Sequence, residues 1–340
     1  MSQLPAWGQD DLPEPLPFSI RNVFRTIGPG AILLAASIGG GEWLVGPTTA
    51  VKHGTSIFWI ATTAIILQLL FNLEGIRYTL YTGEPIFTGI MRLRPGSRLW
   101  GSLYVVLAIL QLGVPALAKS SATVVFAMAL WRTPEDADKG LVLYFTYGVM
   151  ALAVVLLMSG KKVERTLEIL SWGMIAYIFI FLIGVNIVCV PPAHSLKTAL
   201  GFLEFGFIPQ DMDILLLAAL AATAGSGGIG NMTLSNWVRD KGFGMGGKVG
   251  AIGGAFSGEH SEPSHVGKIF PITGDNMRRW GTWWRYVQID QVWLWALGCF
   301  LGMFLNVNMA TAIIPPEQAT AMKGIGAGTF QAEYLAQHYW

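Results

Sequence analysis

Long apolar runs dominate the chain and alternate with short polar segments. A hydrocarbon core of about 30 Å needs about 20 apolar residues of helix. Seven runs meet or approach that length, at 27–50, 55–73, 99–130, 141–159, 171–193, 214–237 and 291–315. Because they are apolar all round rather than along one stripe, they predict seven membrane-spanning helices and an all-α polytopic membrane protein.

Two of these runs are interrupted by clustered glycines, which unwind a helix. The first breaks at Gly39, Gly40, Gly41 and Glu42, and the sixth breaks at 225–230. In lipid, unwound backbone is tolerated only against protein or a water-filled cavity. Two broken helices five spans apart are typical of an inverted-repeat transporter, whose breaks meet near the membrane midplane. The alternative is close helix packing through small residues.

The breaks supply the candidate binding residues. We expect a substrate to contact Gly39, Gly40, Gly41 and Glu42 in the first break and Gly225, Ser226, Gly227 and Asn231 in the second. A charge inside a span is a functional candidate. Glu42 would therefore bind a cation, acting as the metal ligand, pair with Lys119, or bind a proton.

The third run contains two further polar candidates, Gln111 and Lys119, on either side of Pro115. We expect them to act in coupling or gating. The Lys119 ammonium would take the place of a coupling cation or neutralise Glu42. The alternative is that this long side chain only extends to the membrane surface.

Composition supports the membrane assignment. Hydrophobic residues make up 53% of the 340 and charged residues 13%, with a mean hydropathy of +0.51. Soluble domains have about 25% charged residues. The net charge of +1 gives no basis for nucleic-acid binding, and the two cysteines support neither a disulfide framework nor a thiolate metal site. The expected partners are membrane lipid and a transported ion or small solute.

Orientation follows from the Lys and Arg residues of the loops. With the N-terminus inside, 16 of the 22 lie in inner segments and five in outer ones. Residues 1–26 have no signal-peptide pattern and predict a cytoplasmic tail. Residues 316–340 would then form an extracytoplasmic segment. We expect an integral protein of a bacterial-type inner (plasma) membrane.

No motif indicates an enzyme or a resident cofactor. A cytoplasmic loop at 238–285 contains the glycine pattern of Gly242, Gly244 and Gly247, but neither a Rossmann turn nor a P-loop fits, and a flexible linker is expected. The run RRWGTWWRY at 278–286 is interpreted as an interfacial anchor before the last span. Asp290 is expected to cap that span's helix.

Residues 28–54 read GPGAILLAASIGGGEWLVGPTTAVKHG and resemble the first-span signature of the Nramp family of divalent-metal transporters. That family has Gly-Pro-Gly and then an Asp-Pro-Gly-Asn break followed by Trp. Weaker similarities occur in GIRYTLYTGEP and KKVERTLEILSWGM, and later in IPQDMDILLLAALAATAG and RYVQIDQVWLWALG. The resemblance implies a LeuT-like fold, with a first repeat at 27–193 and a partial second repeat at 194–315.

The differences from the family concern the metal ligands. The family's metal-binding Asp falls on Gly39 and its Asn on Glu42, and its Met-Pro-His motif falls on 225–227. A site without thioether or imidazole suits a hard cation such as Mg²⁺ better than Mn²⁺ or Fe²⁺. The resemblance thus implies alternating-access transport of a divalent cation, with proton or other ion coupling left open.

Two alternatives stay open at this point. The glycine-lined breaks would also leave room for a small organic solute such as an amino acid, with half-helix N–H groups holding its carboxylate and Glu42 its amine. The family fold also needs further spans after the seventh. The sequence therefore predicts a chain truncated after about seven helices, and a truncated membrane protein that does not transport is the second alternative.

Overall fold

The computed structural model describes residues 4–39, 41–112, 116–132, 134–159, 162–210, 212–251, 264, 266–315, 317, 331–332 and 335–338. Most of these residues are helical. The helices of the first half are α1 (Ile20–Thr26), α2 (Pro29–Ser37), a π-helical turn (Gly41–Val45), α3 (Gly46–His53), α4 (Trp59–Thr82), α5 (Ile86–Met91), α6 (Ser97–Leu112), α7 (Ala116–Leu130), a 3₁₀ turn (Asp136–Asp138) and α8 (Lys139–Ser159).

The second half continues the helical pattern. Its helices are α9 (Val163–Cys189), α10 (Pro192–Gly201), α11 (Ile214–Thr223), α12 (Ile229–Lys241), a 3₁₀ turn (Gly244–Lys248), α13 (Gly274–Gln288), a π-helical segment (Ile289–Ala296) and α14 (Leu297–Ile313). Two short strands, β1 (Gly8–Gln9) and β2 (Lys268–Ile269), pair in parallel. The mainly helical class expected from the apolar runs is confirmed, with these two short strands as the exception.

Within the part of the chain that the structure describes, four helices are long and apolar enough to cross a membrane: Trp59–Thr82, Asp136–Met158, Val163–Cys189 and Gly274–Ile313. A fifth candidate is formed by α1 together with residues Pro29–His53, which are bent against each other by 63°. Large side chains on α6 to α9 are exposed, among them Ile109, Leu110, Tyr144, Ile180 and Ile187. Such apolar surfaces fit contact with lipid, and the chain is consistent with an integral membrane protein.

The other expected spans are built from shorter pieces. The run at 99–130 forms two helices, α6 and α7, and the run at 214–237 forms α11 and α12. The number of seven spans therefore stays a prediction.

The helix that contains the last predicted span begins well before the apolar run. One helix runs from Gly274 through Ile313, so the expected loop at 238–285 is helical at both ends, and the tryptophan-rich run lies within that helix rather than before it. Thr273 caps this helix, because its hydroxyl accepts from the Asn276 N–H at 3.3 Å. Asp290 lies in the helix interior, so it does not cap this helix.

The glycine pattern at 242–247 is folded and not a flexible linker. Residues Gly244–Lys248 form a 3₁₀ turn whose Met245 is fully buried. The turn packs against α4 and α12, and a Cβ at Gly244 would come within 2.6 Å of the Leu80 carbonyl oxygen. The prediction of a flexible linker is wrong here, because Gly244 is required by close packing against Leu80 and not by freedom of movement.

The N-terminal segment 4–19 packs along the ends of several helices. Leu12 is fully buried, and its N–H donates to the Asn276 side chain. Trp283 donates to the Pro13 carbonyl at 2.9 Å, and β1 pairs with β2. The segment expected to be a tail is thus a docked strap, which we call the N-terminal strap.

Glu84 joins the N-terminal strap to the rest of the protein. Its carboxylate accepts from the Arg92 guanidinium at 2.5 and 2.8 Å and from the Tyr78 hydroxyl at 2.7 Å. It also accepts from the Trp7 indole N–H at 3.1 Å and the Gly267 N–H at 2.9 Å. Burial alone would raise the pKa of Glu84, but these donors lower it below its ordinary value of 4.5.

Candidate functional site

The first break is present where the glycines predict it. Helix α2 ends at Ser37, the Gly39 N–H turns back to the Ser37 carbonyl at 2.7 Å, and a π-helical turn begins at Gly41. Pi-helical turns occur often at functional positions. Glu42 lies in the first turn of that π segment, so the break itself places the carboxylate.

The second break separates α11 from α12 at residues 224–228. Gly225, Gly227 and Gly228 have φ angles of +86°, +69° and +53°. This left-handed region favours glycine, since other side chains clash with the backbone there. The glycine cluster therefore dictates the interruption.

The two breaks contact each other, as predicted. A Cβ added at Gly41 would come within 1.9 Å of the Thr223 carbonyl oxygen, so the backbones meet only because residue 41 has no side chain. The Gly225 N–H donates to Glu42 Oε1 at 2.9 Å, across 183 residues of sequence. A placement of this contact at the membrane midplane stays a prediction.

Glu42 is fully buried and only half satisfied. Oε1 accepts from Gly225, but Oε2 has no hydrogen-bond partner among the described residues. A Cβ at Gly302 of α14 would lie 3.9 Å from Glu42 Cγ, so α14 closes one side of the carboxylate. A buried carboxylate oxygen without a partner requires a proton or a cation to be stable.

Lys119 does not supply that charge. Its side chain is exposed on α7, which packs against α8, and within the described part of the chain no ion pair joins it to Glu42. The expected neutralisation of Glu42 is therefore not seen in this structure. Its role in coupling stays untested.

Gln68 holds the second break, and sequence reasoning missed it. Its Oε1 accepts from the N–H groups of Ser226 at 3.1 Å and Gly227 at 2.9 Å, while its Nε2 donates to the Ala224 carbonyl at 2.6 Å. Asn231 Nδ2 donates to the same Oε1 at 2.9 Å. The available signal was an uncharged amide within an otherwise apolar run of α4.

Gln111 reaches the same break from α6. Its Oε1 accepts from the Ile229 N–H at 3.0 Å, and its Nε2 donates to the Gly227 carbonyl at 3.4 Å. The structure thus brings the candidate binding residues Ser226, Gly227 and Asn231 together with Gln111, whose contact with this break the sequence did not predict. A gating role for Gln111 stays a prediction. Gly40, the remaining candidate of the first break, lies outside the described residues.

Asp290 caps α2 rather than its own helix. Its carboxylate accepts from the Gly28 N–H at 2.9 Å and the Gly30 N–H at 2.7 Å, the free donors at the start of α2. Gln291 donates to Asp290, and Asn72 donates to Gln291 at 3.2 Å. The long helix therefore fixes the half-helix that leads into the first break.

A groove of about 710 Å³ opens beside the second break. Its walls are mainly apolar and come from α4, α6 and α12, with Leu67, Phe71, Leu107 and Met232 among them. Its polar lining includes the side chains of Gln68, Gln111 and Asn231. The groove therefore meets the break at the three amides.

The donor set at the breaks is one carboxylate with amide and backbone groups. Within the described residues, no group of three or more His, Cys, Asp or Glu side chains is placed to hold a metal ion. Oxygen ligands of this kind suit hard cations.

Comparison with known proteins does not assign a family. No family model matches the chain, and no curated protein matches its sequence. The resemblance of residues 28–54 to the Nramp signature therefore stays an expectation, and the functional inference depends on the geometry of the two breaks.

Proposed function

We propose that this protein is a membrane transporter that binds a positively charged solute at the contact of its two broken helices. The observation that supports this most directly is Glu42. One of its oxygens is held by the Gly225 N–H at 2.9 Å, and the other is buried without a partner among the described residues. A carboxylate fixed in this way, with no ion pair to a Lys or Arg of the described residues, is suited to a ligand cation.

The proposed solute is a divalent metal ion, and Mg²⁺ is the first candidate. Mg²⁺ is bound through few protein oxygens and keeps several of its waters. Glu42 Oε2 would supply the charge, and the breaks supply amide oxygens. The resemblance to the Nramp signature supports the same class of solute, and with it a LeuT-like arrangement of helices working by alternating access.

A small organic cation is the second candidate, and the groove favours it. Its volume of about 710 Å³ and its apolar walls would accommodate the body of an organic molecule. In that case the ammonium group would meet Glu42, and the hydrocarbon part would lie against α4 and α6.

Uptake into proteoliposomes tests the proposal. The full chain is reconstituted with a Mg²⁺-sensitive dye inside the vesicles, beside Glu42→Gln and the control Glu204→Gln, whose carboxylate is exposed. We expect saturable uptake by the wild type and by Glu204→Gln. Glu42→Gln should lose most of it, because an amide keeps the Gly225 hydrogen bond but not the charge. Uptake by Glu42→Gln equal to the wild type would remove Glu42 from the site.

A further inference from the structure

The second break leads into the N-terminal end of α12, and helix N-termini normally offer free N–H donors to anions. Here the protein's own oxygens take most of those donors. The N–H groups of Ser226 and Gly227 go to Gln68, and that of Ile229 goes to Gln111. Those of Gly225 and Gly230 go to Glu42 and to the Gly227 carbonyl.

The buried side-chain atoms that lack a partner around this break are oxygens. Glu42 Oε2, Asn231 Oδ1 and Asn72 Oδ1 are buried and lack hydrogen-bond partners among the described residues. The orientation of the two amides is fixed by their nitrogens, because Asn231 Nδ2 donates to Gln68 and Asn72 Nδ2 donates to Gln291. The region therefore has acceptors to offer and few donors.

We infer that Gln68 and Gln111 are specificity-determining residues that exclude carboxylate-bearing solutes from the site. This inference rests on the proposed function and narrows its substrate class to cations, inorganic or organic, that have no carboxylate group. A carboxylate at the α12 end would find the N–H groups of residues 225–227, 229 and 230 occupied and would face Glu42, so its desolvation would be poorly compensated. An ammonium group or a metal ion meets the free oxygens instead.

The two amides exclude a carboxylate because backbone groups hold both the oxygen and the nitrogen of each. Gln68 both accepts from the break and donates to the Ala224 carbonyl at 2.6 Å, so a competing anion must displace it from both sides. Gln111 occupies the Ile229 N–H in the same manner, since its oxygen accepts from Ile229 and its nitrogen donates to the Gly227 carbonyl. Selectivity arises because a carboxylate must displace these amides from the backbone before it can bind, whereas a cation binds without displacing them.

Titration calorimetry on the purified full chain tests this with three probes: Mg²⁺, ethylamine and L-alanine. Alanine is ethylamine with a carboxylate, so this pair isolates the effect of that group. We expect Mg²⁺ or ethylamine to bind, and alanine to bind at least about tenfold more weakly than the better of the two. A preference for Mg²⁺ over ethylamine identifies an inorganic cation as the substrate, and the reverse identifies an organic ammonium.

Two variants of Gln68 sharpen the test. Gln68→Ala frees the Ser226 and Gly227 donors and should bring alanine binding close to that of ethylamine. Gln68→Glu keeps an acceptor at those donors and should still exclude alanine, which guards against a folding defect in the first variant. The control is Gln288→Ala, since Gln288 is an exposed amide of α13 and should leave all three affinities unchanged.

The outcomes separate this inference from the proposed function. Wild-type protein that binds alanine as tightly as ethylamine would overturn the exclusion while leaving cation transport standing. Wild-type protein that binds neither Mg²⁺ nor ethylamine would overturn the proposed function, and the inference with it.

Discussion

Glu42 and Glu84 are both buried carboxylates that accept a glycine N–H, yet their surroundings differ. Glu84 has donors on both oxygens, including a bidentate guanidinium. Glu42 accepts the Gly225 N–H through one oxygen, and its second oxygen has no partner among the described residues. Natural structures satisfy their buried polar groups, so an exception requires an explanation. The fold itself satisfies the Glu84 carboxylate, whereas the second oxygen of Glu42 is where we propose that a ligand cation binds.

The largest effect on stability is expected at Glu84. Glu84→Gln leaves the half-buried Arg92 without its counter-charge and should lower the free energy of unfolding by about 3–5 kcal/mol. The control is Glu74→Gln, whose ion pair with Arg77 is exposed and should contribute about 0–1 kcal/mol. Chemical unfolding in detergent, followed by circular dichroism, measures both. Equal losses in the two variants would show that the buried Glu84–Arg92 pair stabilises the protein no more than an exposed ion pair does.

The contact between the breaks gives the next effect. Gly41→Ala places a methyl group within 1.9 Å of the Thr223 carbonyl, so the backbones must separate, at about 1–3 kcal/mol. Gly39→Ala is the matched control, because a Cβ there meets nothing within 4 Å. Thermal unfolding should distinguish them. A Gly41→Ala protein as stable as Gly39→Ala would contradict the close approach of the two breaks.

Acid should weaken the N-terminal strap. The pKa of Glu84 is lowered in the folded protein, so its contribution to stability is complete above its ordinary pKa of 4.5. That contribution is lost as the pH falls below 4.5 toward the lowered folded value. We predict that the stability difference between the wild type and Glu84→Gln shrinks over this window. A difference that stays constant below pH 4.5 would exclude this linkage.

The smallest effect is expected at Trp7. Trp7→Phe removes the indole N–H donor to Glu84 while keeping an aromatic ring near Arg92. Because the other donors to Glu84 remain, the loss should be about 1 kcal/mol. The loss should also disappear in a Glu84→Gln background, which a double-mutant cycle measures. Additive losses would show that the two residues act independently.

The breaks could be predicted from the sequence because their cause is local. Clustered glycines at 225–228 adopt left-handed φ angles, and Gly41 allows a backbone contact, so composition alone indicated both interruptions. That the two breaks face each other also followed, and the hydrogen bond from the Gly225 N–H to Glu42 shows their contact.

The partners of distant side chains could not be predicted in this way. Gln68 is one amide in an apolar run, and nothing local indicates that its partners lie 158 and 159 residues further along the chain. Asp290 was expected to cap its own helix, but a carboxylate satisfies whichever free N–H groups the fold brings to it, and these belong to α2. Both errors arise because tertiary packing selects the hydrogen-bond partner.

Titration of Mg²⁺ and ethylamine into the wild type and into Glu42→Gln tests the central claim most directly. We predict saturable binding of at least one of these cations to the wild type and its loss in Glu42→Gln, with the thermal stability of the variant unchanged or higher, since the amide is easier to bury than a charge. Cation binding that survives in Glu42→Gln, or a variant that unfolds as Glu84→Gln does, would contradict the assignment of Glu42 to a ligand.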